Sequence, residues 1–438
     1  MTAEPEVARE GDADERATAQ RAVLRTLVIA QILSGAGLAA GVTVGALLAA
    51  EMLDSTSAAG VPALLFALGS GGAAVLIGAL SQRRGRRVGL AWGYAAGAVG
   101  AVGVVLAAAI DSVPLLFASL FVYGAGTAAN LQARYAGADL APPAKRARAS
   151  AIVLVATTAG AVLGPQLAEA SGGLVEPWGL SALTGPFAVA ALAYAVGAAV
   201  LALWLRPDPL LLALRLGARP ADAPLAQASP AQVTEDEGEP RWRPRVVGAI
   251  AAMVGTQAVM VGVMTMTPVH MTAHGHTLSA AATVISLHVA AMYLPAPLSG
   301  LVVDRWGVVP TVIAASLTLI AAATTLALAP GESLVPIAVG LVLLGMGWSL
   351  GIVAGTQVLS TAPPLVRRAR LQGRADFFIA ASSAAGGGAS GLIVAGSTFA
   401  ALAWAGAAVA VAVALVAPIL RVSVTNRQNV LPPDRFEG

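Results

Sequence analysis

The chain has no cysteine in its 438 residues. That excludes a disulfide framework, a thiol nucleophile and every thiolate metal site. Charge and aromatic rings are also scarce, with Asp, Glu, Lys and Arg at 11% and Phe, Trp and Tyr at 5%. A soluble globular domain carries about 25% charged residues, so an ordinary water-facing exterior is excluded. There is no GxxxxGK[ST] phosphate loop and no Ser, His and Asp set in a pocket context, so neither an enzyme nor an ATP-driven pump is expected. No apolar run occupies residues 1–20. They read as a disordered acidic cytoplasmic tail and not as a cleaved signal peptide.

What the chain has instead is apolar surface: 57% hydrophobic residues and a mean hydropathy of +0.78. Runs of about 20 apolar residues, enough for a hydrocarbon core of roughly 30 Å, recur at about 24–50, 61–80, 89–110, 114–136, 149–170 and 181–205. They recur again at about 246–272, 278–301, 309–329, 334–358, 372–395 and 398–420. The expected fold class is an all-α integral membrane protein with twelve transmembrane helices in two six-helix halves, residues 21–205 and 246–420. Residues 206–245, rich in Pro, Asp, Glu and Gln, form the cytoplasmic linker, with Leu210–Leu216 expected on the membrane surface. Residues 421–438 form a second cytoplasmic tail.

Arg83, Arg84, Arg86 and Arg87, then Lys145, Arg146 and Arg148, then Arg305, and finally Arg367, Arg368 and Arg370 fill the short loops after spans 2, 4, 8 and 10. The loops around Asp54, Asp111, Glu176, His274 and Glu332 carry no Lys or Arg. The positive-inside rule therefore places both termini and the linker in the cytoplasm, with the chain a multi-pass protein of a bacterial cytoplasmic (inner) membrane. The pI near 9.7 follows from those loops, and no nucleic-acid partner is needed to explain it.

The halves echo each other. GALSQRRGRR of Gly78–Arg87 and GLVVDRWGVVP of Gly300–Pro310 match at Gly78, Arg83 and Gly85 with a constant offset of 222 residues. Ala-Pro-Pro recurs at 141–143 and 362–364, each time ahead of a basic cluster. Twelve spans with these GxxxDRxG-like loops resemble the major facilitator superfamily, which implies alternating access around a site between the halves. The first copy has Gln82 where the family has Asp; the second keeps Asp304. Gly160–Pro165, GAVLGP, is similar to the superfamily's antiporter motif.

All four histidines and six of the nine methionines lie between Met253 and Met292. Met260 and Met264 form MxxxM on span 7, and His288 and Met292 form HxxxM on span 8, so each pair shares a helix face one turn apart. At 1.5 Å per residue, Met264 is level with His288 and Met260 is closer to Met292. Thioether and imidazole suit a soft copper ion. His270, Met271, His274 and His276 follow as a weaker outer capture set, and Pro268, Pro295 and Pro297 are placed to kink the two spans. These motifs and the TMTPVHMTAHGH between them are similar to the CcoA-type copper importers. That resemblance implies copper as transported substrate, no cofactor, and delivery to copper chaperones for assembly of a haem-copper oxidase. Two other cargoes fit the same fold. A carrier for a small organic solute such as riboflavin would depend on Gln31, Asn130, Arg134 and Gln357. A proton-linked efflux pump would need GAVLGP and an acidic residue, for which Asp376, Asp139 and Glu169, with Arg134 beside them, are the candidates.

Overall fold

The computed structural model of the protein describes residues 4–39, 44–53, 60–217 and 242–421. Helices occupy each expected span. The first half contains α1 (Glu4–Ala39), α2 (Gly45–Leu53), α3 (Gly60–Arg84), α4 (Arg86–Ala109), α5 (Val113–Ala138), α6 (Arg146–Val175) and α7 (Gly185–Trp204). A short α8 (Pro209–Gly217) follows, and the second half contains α9 (Trp242–Ala273), α10 (Leu278–Tyr293), α11 (Ala296–Trp306), α12 (Val308–Leu328), α13 (Leu334–Thr361), α14 (Leu365–Gly396) and α15 (Phe399–Val416). The described residues contain no strand. A helix satisfies its own backbone hydrogen bonds, which hydrocarbon cannot do for it. Ten of these segments are long and apolar enough to cross a membrane, and large side chains such as Val99, Leu106, Leu192, Leu203, Val335, Leu392 and Leu415 stand exposed on the outside of the bundle, where lipid would meet them.

Two cores form, one within the first half and one centred on the second half that also takes in Tyr135, Ala147, Ala151 and Leu154 of the first. Leu27, Leu90, Leu120 and Phe187 are buried in the first, together with Tyr94, Tyr123 and Tyr194, whose rings lie 5.6–5.7 Å apart. Met253, Met260, Val284, Leu341, Leu344 and Trp348 are buried in the second. Local chemistry sets the turns. Gly85 and Gly307, the matched glycines of the repeat, have φ of 91° and 88°, a region that disfavours any side chain. Thr277 and Thr398 cap α10 and α15 by accepting from Ala280 N and Ala401 N at 3.2 and 3.1 Å.

Two sequence expectations need correction. Helix α1 begins at Glu4, so residues 1–20 are not a disordered tail throughout: Gln20 donates to the Gly137 carbonyl at 2.7 Å, Ala19 is buried, and Glu15 pairs with Arg215. Helix α8 does not lie free on a membrane surface. Asp208 caps it through Leu210 N and Leu211 N, and it packs on α1, α4, α5 and α14, burying Leu210, Leu212 and Leu216. Span 8 remains one span, Ser279–Trp306, but the kink expected at Pro295, which has no N–H to continue the ladder, is sharp enough to divide it into α10 and α11. The remaining linker (218–241), the tail beyond 421, Asp54 and the side chains of residues 161–169, Glu169 among them, lie outside the described residues.

Candidate functional site

Helix α13 serves as a ruler for the methionine and histidine pairs. A Cβ on Gly355 would meet Met253, and one on Gly351 would meet Thr256, so α9 runs antiparallel to α13. Continuing that register puts Met260 opposite the neighbourhood of Gly347 and Met264 opposite that of Leu344. On α10, the His288 carbonyl and the Met292 amide border Gly345, while the His288 ring reaches Leu341. By rise alone, Met260 is thus level with Met292, and Met264 with His288, along α13. Met260 and Met292 are buried in a single apolar cluster and Met264 packs against it.

His288 is 0% exposed. Its Nδ1 lies 2.7 Å from the Leu341 carbonyl oxygen, which only accepts, so Nδ1 carries the proton and Nε2 carries the lone pair. That Nε2 is buried with no hydrogen-bond partner. An orphaned acceptor in an apolar setting costs about 1–3 kcal/mol. A histidine ligand oriented through its other nitrogen by a backbone carbonyl is the usual support for metal binding.

The outer residues are brought together only in part. The rings of His270 and His274 are 4.2 Å apart, but His270 also stacks on Phe399 at 4.3 Å and His276 Nε2 is engaged with the Gly331 carbonyl at 2.9 Å. Met271 is fully buried. Among the described residues, no three His, Asp or Glu side chains are grouped to hold a metal ion.

The polar residues named for an organic cargo divide differently. Gln31 and Asn130 are 0% exposed in a network internal to the first half: Gln31 donates to Thr157 Oγ1 at 2.9 Å, Tyr94 donates to Gln31 Oε1 at 2.5 Å, and Asn130 donates to Ser34 Oγ at 2.8 Å. Gln357 donates to the Pro143 carbonyl. A second set, absent from the sequence reading, has partly exposed members: Trp348 donates to Gln257 Oε1 at 2.7 Å, and Gln257 donates to Ser383 Oγ at 2.8 Å. Its signal was an amide three residues before Met260, on the MxxxM face.

The halves are joined at their basic ends. Gln82 donates to the Leu365 carbonyl at 3.0 Å and accepts from Ala369 N at 2.9 Å. Its repeat mate Asp304 accepts from Ala147 N and Arg148 N at 3.3 and 3.1 Å. Ala147 and Ala369 are themselves repeat mates, so a neutral amide makes the contact that a carboxylate makes on the other side. Deeper in, Arg134 Nη2 meets Asp376 Oδ1 at 2.6 Å with exposures of 1% and 4%, and Arg134 Nε donates to Thr356 Oγ1 at 3.0 Å. Close approach needs glycine, since a Cβ on Gly78 would stand 2.7 Å from the Ala369 carbonyl oxygen and one on Gly300 2.7 Å from Arg148 Cα.

Comparison with known proteins places this arrangement. The family model described as Major Facilitator Superfamily matches residues 27–364. The chain is 48% identical over 381 residues to the "Uncharacterized MFS-type transporter YdeG" of Bacillus subtilis, covering 86% of this chain and 87% of that protein. It is 30% identical over 395 residues to the "Riboflavin transporter RfnT" of Brucella anthropi, covering 89% and 93%. Among solved structures, the proton:xylose symporter XylE superposes with a TM-score of 0.67 at 16% identity, covering 91% of this chain and 95% of that one.

Proposed function

The chain belongs to the major facilitator superfamily, and from that premise we propose that this multi-pass membrane transporter imports Cu(I) by alternating access. The orphaned, buried Nε2 of His288 carries this reading, because it is a fixed lone pair at the level that rise gives Met264, next to that of Met260 and Met292. One imidazole and two or three thioethers make a soft, neutral donor set that needs to release no proton to bind. Basic loops assigned to the cytoplasm of a bacterial inner membrane put both termini inside. The cross-half bonds then close the cytoplasmic end, and the ion enters from outside past His270 and His274. Those bonds exchange for contacts at the outer end as the halves rock. Copper chaperones serving a haem-copper oxidase are the matching recipients.

A second reading has its own observation. Gln257, Trp348 and Ser383 present an amide, an indole and a hydroxyl around a partly exposed position, with Tyr293 edge-on to Trp348 at 5.6 Å. That suits a planar, amide-edged organic solute, and the relative named for riboflavin fits it.

Uptake of radioactive copper and of labelled riboflavin into cells expressing the chain separates the two. Copper uptake should compete with silver and scarcely with magnesium, which prefers oxygen ligands, and should be lost in a Met264→Leu, His288→Leu double variant. Normal copper uptake in that variant removes the copper reading. Riboflavin uptake that depends on Gln257 establishes the second.

A further inference from the structure

The basic end holds more buried positive charge than the protein neutralises. Arg86 (0% exposed) and Arg368 (5%) are buried, Arg146 is half-buried, and Arg368 is within electrostatic reach of both others and of Asp139. Asp139 is the carboxylate they share, with both its oxygens engaged by Arg86, at 2.7 and 3.4 Å, while Asp376, also within electrostatic reach of Arg86, is taken by Arg134. Three guanidinium groups therefore face one acid. Buried charge is normally paired, because desolvating an unpaired ion costs several kcal/mol.

The repeat shows where the second acid is missing. Asp139 stands two residues before the first Ala-Pro-Pro, and Ser360 stands two residues before the second. Arg146 and Arg368 are mates in the basic clusters that follow at the offset of 222 residues, one more than the 221 between Asp139 and Ser360, because the second copy has one extra residue after Ala-Pro-Pro. Arg146 crosses to the Ser360 carbonyl at 3.1 Å, whereas Arg368 donates to the Pro363 carbonyl of its own half at 3.2 Å and feels Asp139 only through space. Where symmetry would supply a carboxylate, the chain has a hydroxyl.

Several polar atoms here are left over. Arg86 Nη1, Arg368 Nε and Arg368 Nη1 are buried without a partner and can only donate, and the Ser360 hydroxyl, also without a partner, can donate as well. Gln372, which accepts from Arg86 at 2.5 Å and donates to the Leu359 carbonyl at 3.1 Å, ties the group together. Arg146 and Arg368 also stand in the first turns of α6 and α14, where the helix dipole favours anions and opposes cations.

We propose that the junction between the halves at the basic end is a binding site for a phosphate-class oxoanion, held by Arg86, Arg146, Arg368 and Ser360. Several oxygens on one centre match forked guanidinium donors better than a monatomic halide does. The anion supplies the charge that Ser360 lacks. Because Arg86 and Arg146 belong to one half and Arg368 and Ser360 to the other, bound anion holds the halves together at this end and stabilises the conformation described here. Its phosphate comes either free from solution or from a lipid headgroup.

The test is thermal unfolding of the purified full-length chain, at fixed ionic strength, with chloride exchanged for inorganic phosphate. We expect a saturable rise of the midpoint by about 2 °C or more in the natural chain and none in Arg368→Gln. Ser360→Asp, which restores the symmetric carboxylate, should raise the midpoint in chloride and abolish the response to phosphate. If the phosphate is a lipid's, the natural chain in phosphatidylglycerol nanodiscs should unfold at a higher temperature than in phosphatidylcholine, a difference that Ser360→Asp removes. Equal midpoints in chloride and phosphate together with equal midpoints in the two lipids overturn the proposal. So does a phosphate or lipid response of full size in both variants.

Discussion

Replacing Asp376 by Asn should open the basic end. The Asp376 carboxylate binds Arg134 at 2.6 Å and accepts from the Tyr135 hydroxyl at 3.2 Å, all inside the junction of the halves. The substituted amide would leave the Arg134 guanidinium buried with only neutral partners, Thr356 and Tyr135 at 3.0 and 2.9 Å among them. Breaking a buried ion pair on one side costs about 3–5 kcal/mol. That cost falls on the conformation closed at this end and is relieved when water reaches Arg134, so the closed-to-open ratio should drop by roughly two to three and a half orders of magnitude at about 1.4 kcal/mol per tenfold. The natural chain has no cysteine, so spin labels on Ala144→Cys and Val366→Cys, both exposed at the basic ends of opposite halves, report the separation cleanly. Asp376→Asn should lengthen that distance and slow transport. Arg134→Met with Asp376→Leu removes both charges and should restore the short distance. An unchanged distance in Asp376→Asn would refute the idea that this pair holds the halves together.

Gly300→Leu should act in the same direction, because its Cβ would sit 2.7 Å from Arg148 Cα and pry α11 from α6; the same pair of spin labels checks it. Gln82→Leu loses two cross-half hydrogen bonds, about 0.5–1.5 kcal/mol each, and should open the basic end less than Asp376→Asn does. Gln82→Glu keeps the acceptor for Ala369 N but loses the donor to the Leu365 carbonyl; the helix dipole offsets part of that loss, so it should open the basic end less than Gln82→Leu does, as the same spin labels would read. His274→Gln with His276→Gln should raise the copper concentration for half-maximal uptake by about tenfold, equivalent to ~1.4 kcal/mol, with the maximal rate kept. A lost maximal rate would instead make these residues part of the moving gate.

The sequence exposed whatever has a period or a repeat. Hydropathy located the spans because lipid requires long apolar helices, and the offset of 222 residues predicted that residues 82 and 304 hold equivalent positions. It did not show that Gln82 could keep the contact without charge. That depends on two backbone groups of α14, Leu365 O and Ala369 N, being in reach, which is a fact of packing. Pro295 signalled the kink that divides α10 from α11, with Leu294 and Pro295 themselves kept in the right-handed helical region. The matched depth of Met260, Met264, His288 and Met292 is an expectation from rise per residue, whereas the tautomer of His288 was out of reach of the sequence, since Leu341 is 53 residues away. The outer histidines show the opposite limit: proximity in sequence put them at one helix end, and the fold then gave His270 to Phe399 and His276 to Gly331. Gln257 and Trp348 meet across 91 residues and share no motif.

Copper X-ray absorption on the purified chain loaded with Cu(I) tests the soft-ion site most directly. We expect one copper per chain, with two or three sulfur neighbours at thioether distance and one imidazole nitrogen, and loss of the nitrogen together with most of the bound copper in His288→Leu. A natural chain that binds no copper, or copper coordination unchanged in His288→Leu, would contradict a metal site at His288 and leave the Gln257 and Trp348 position as the place where cargo is held.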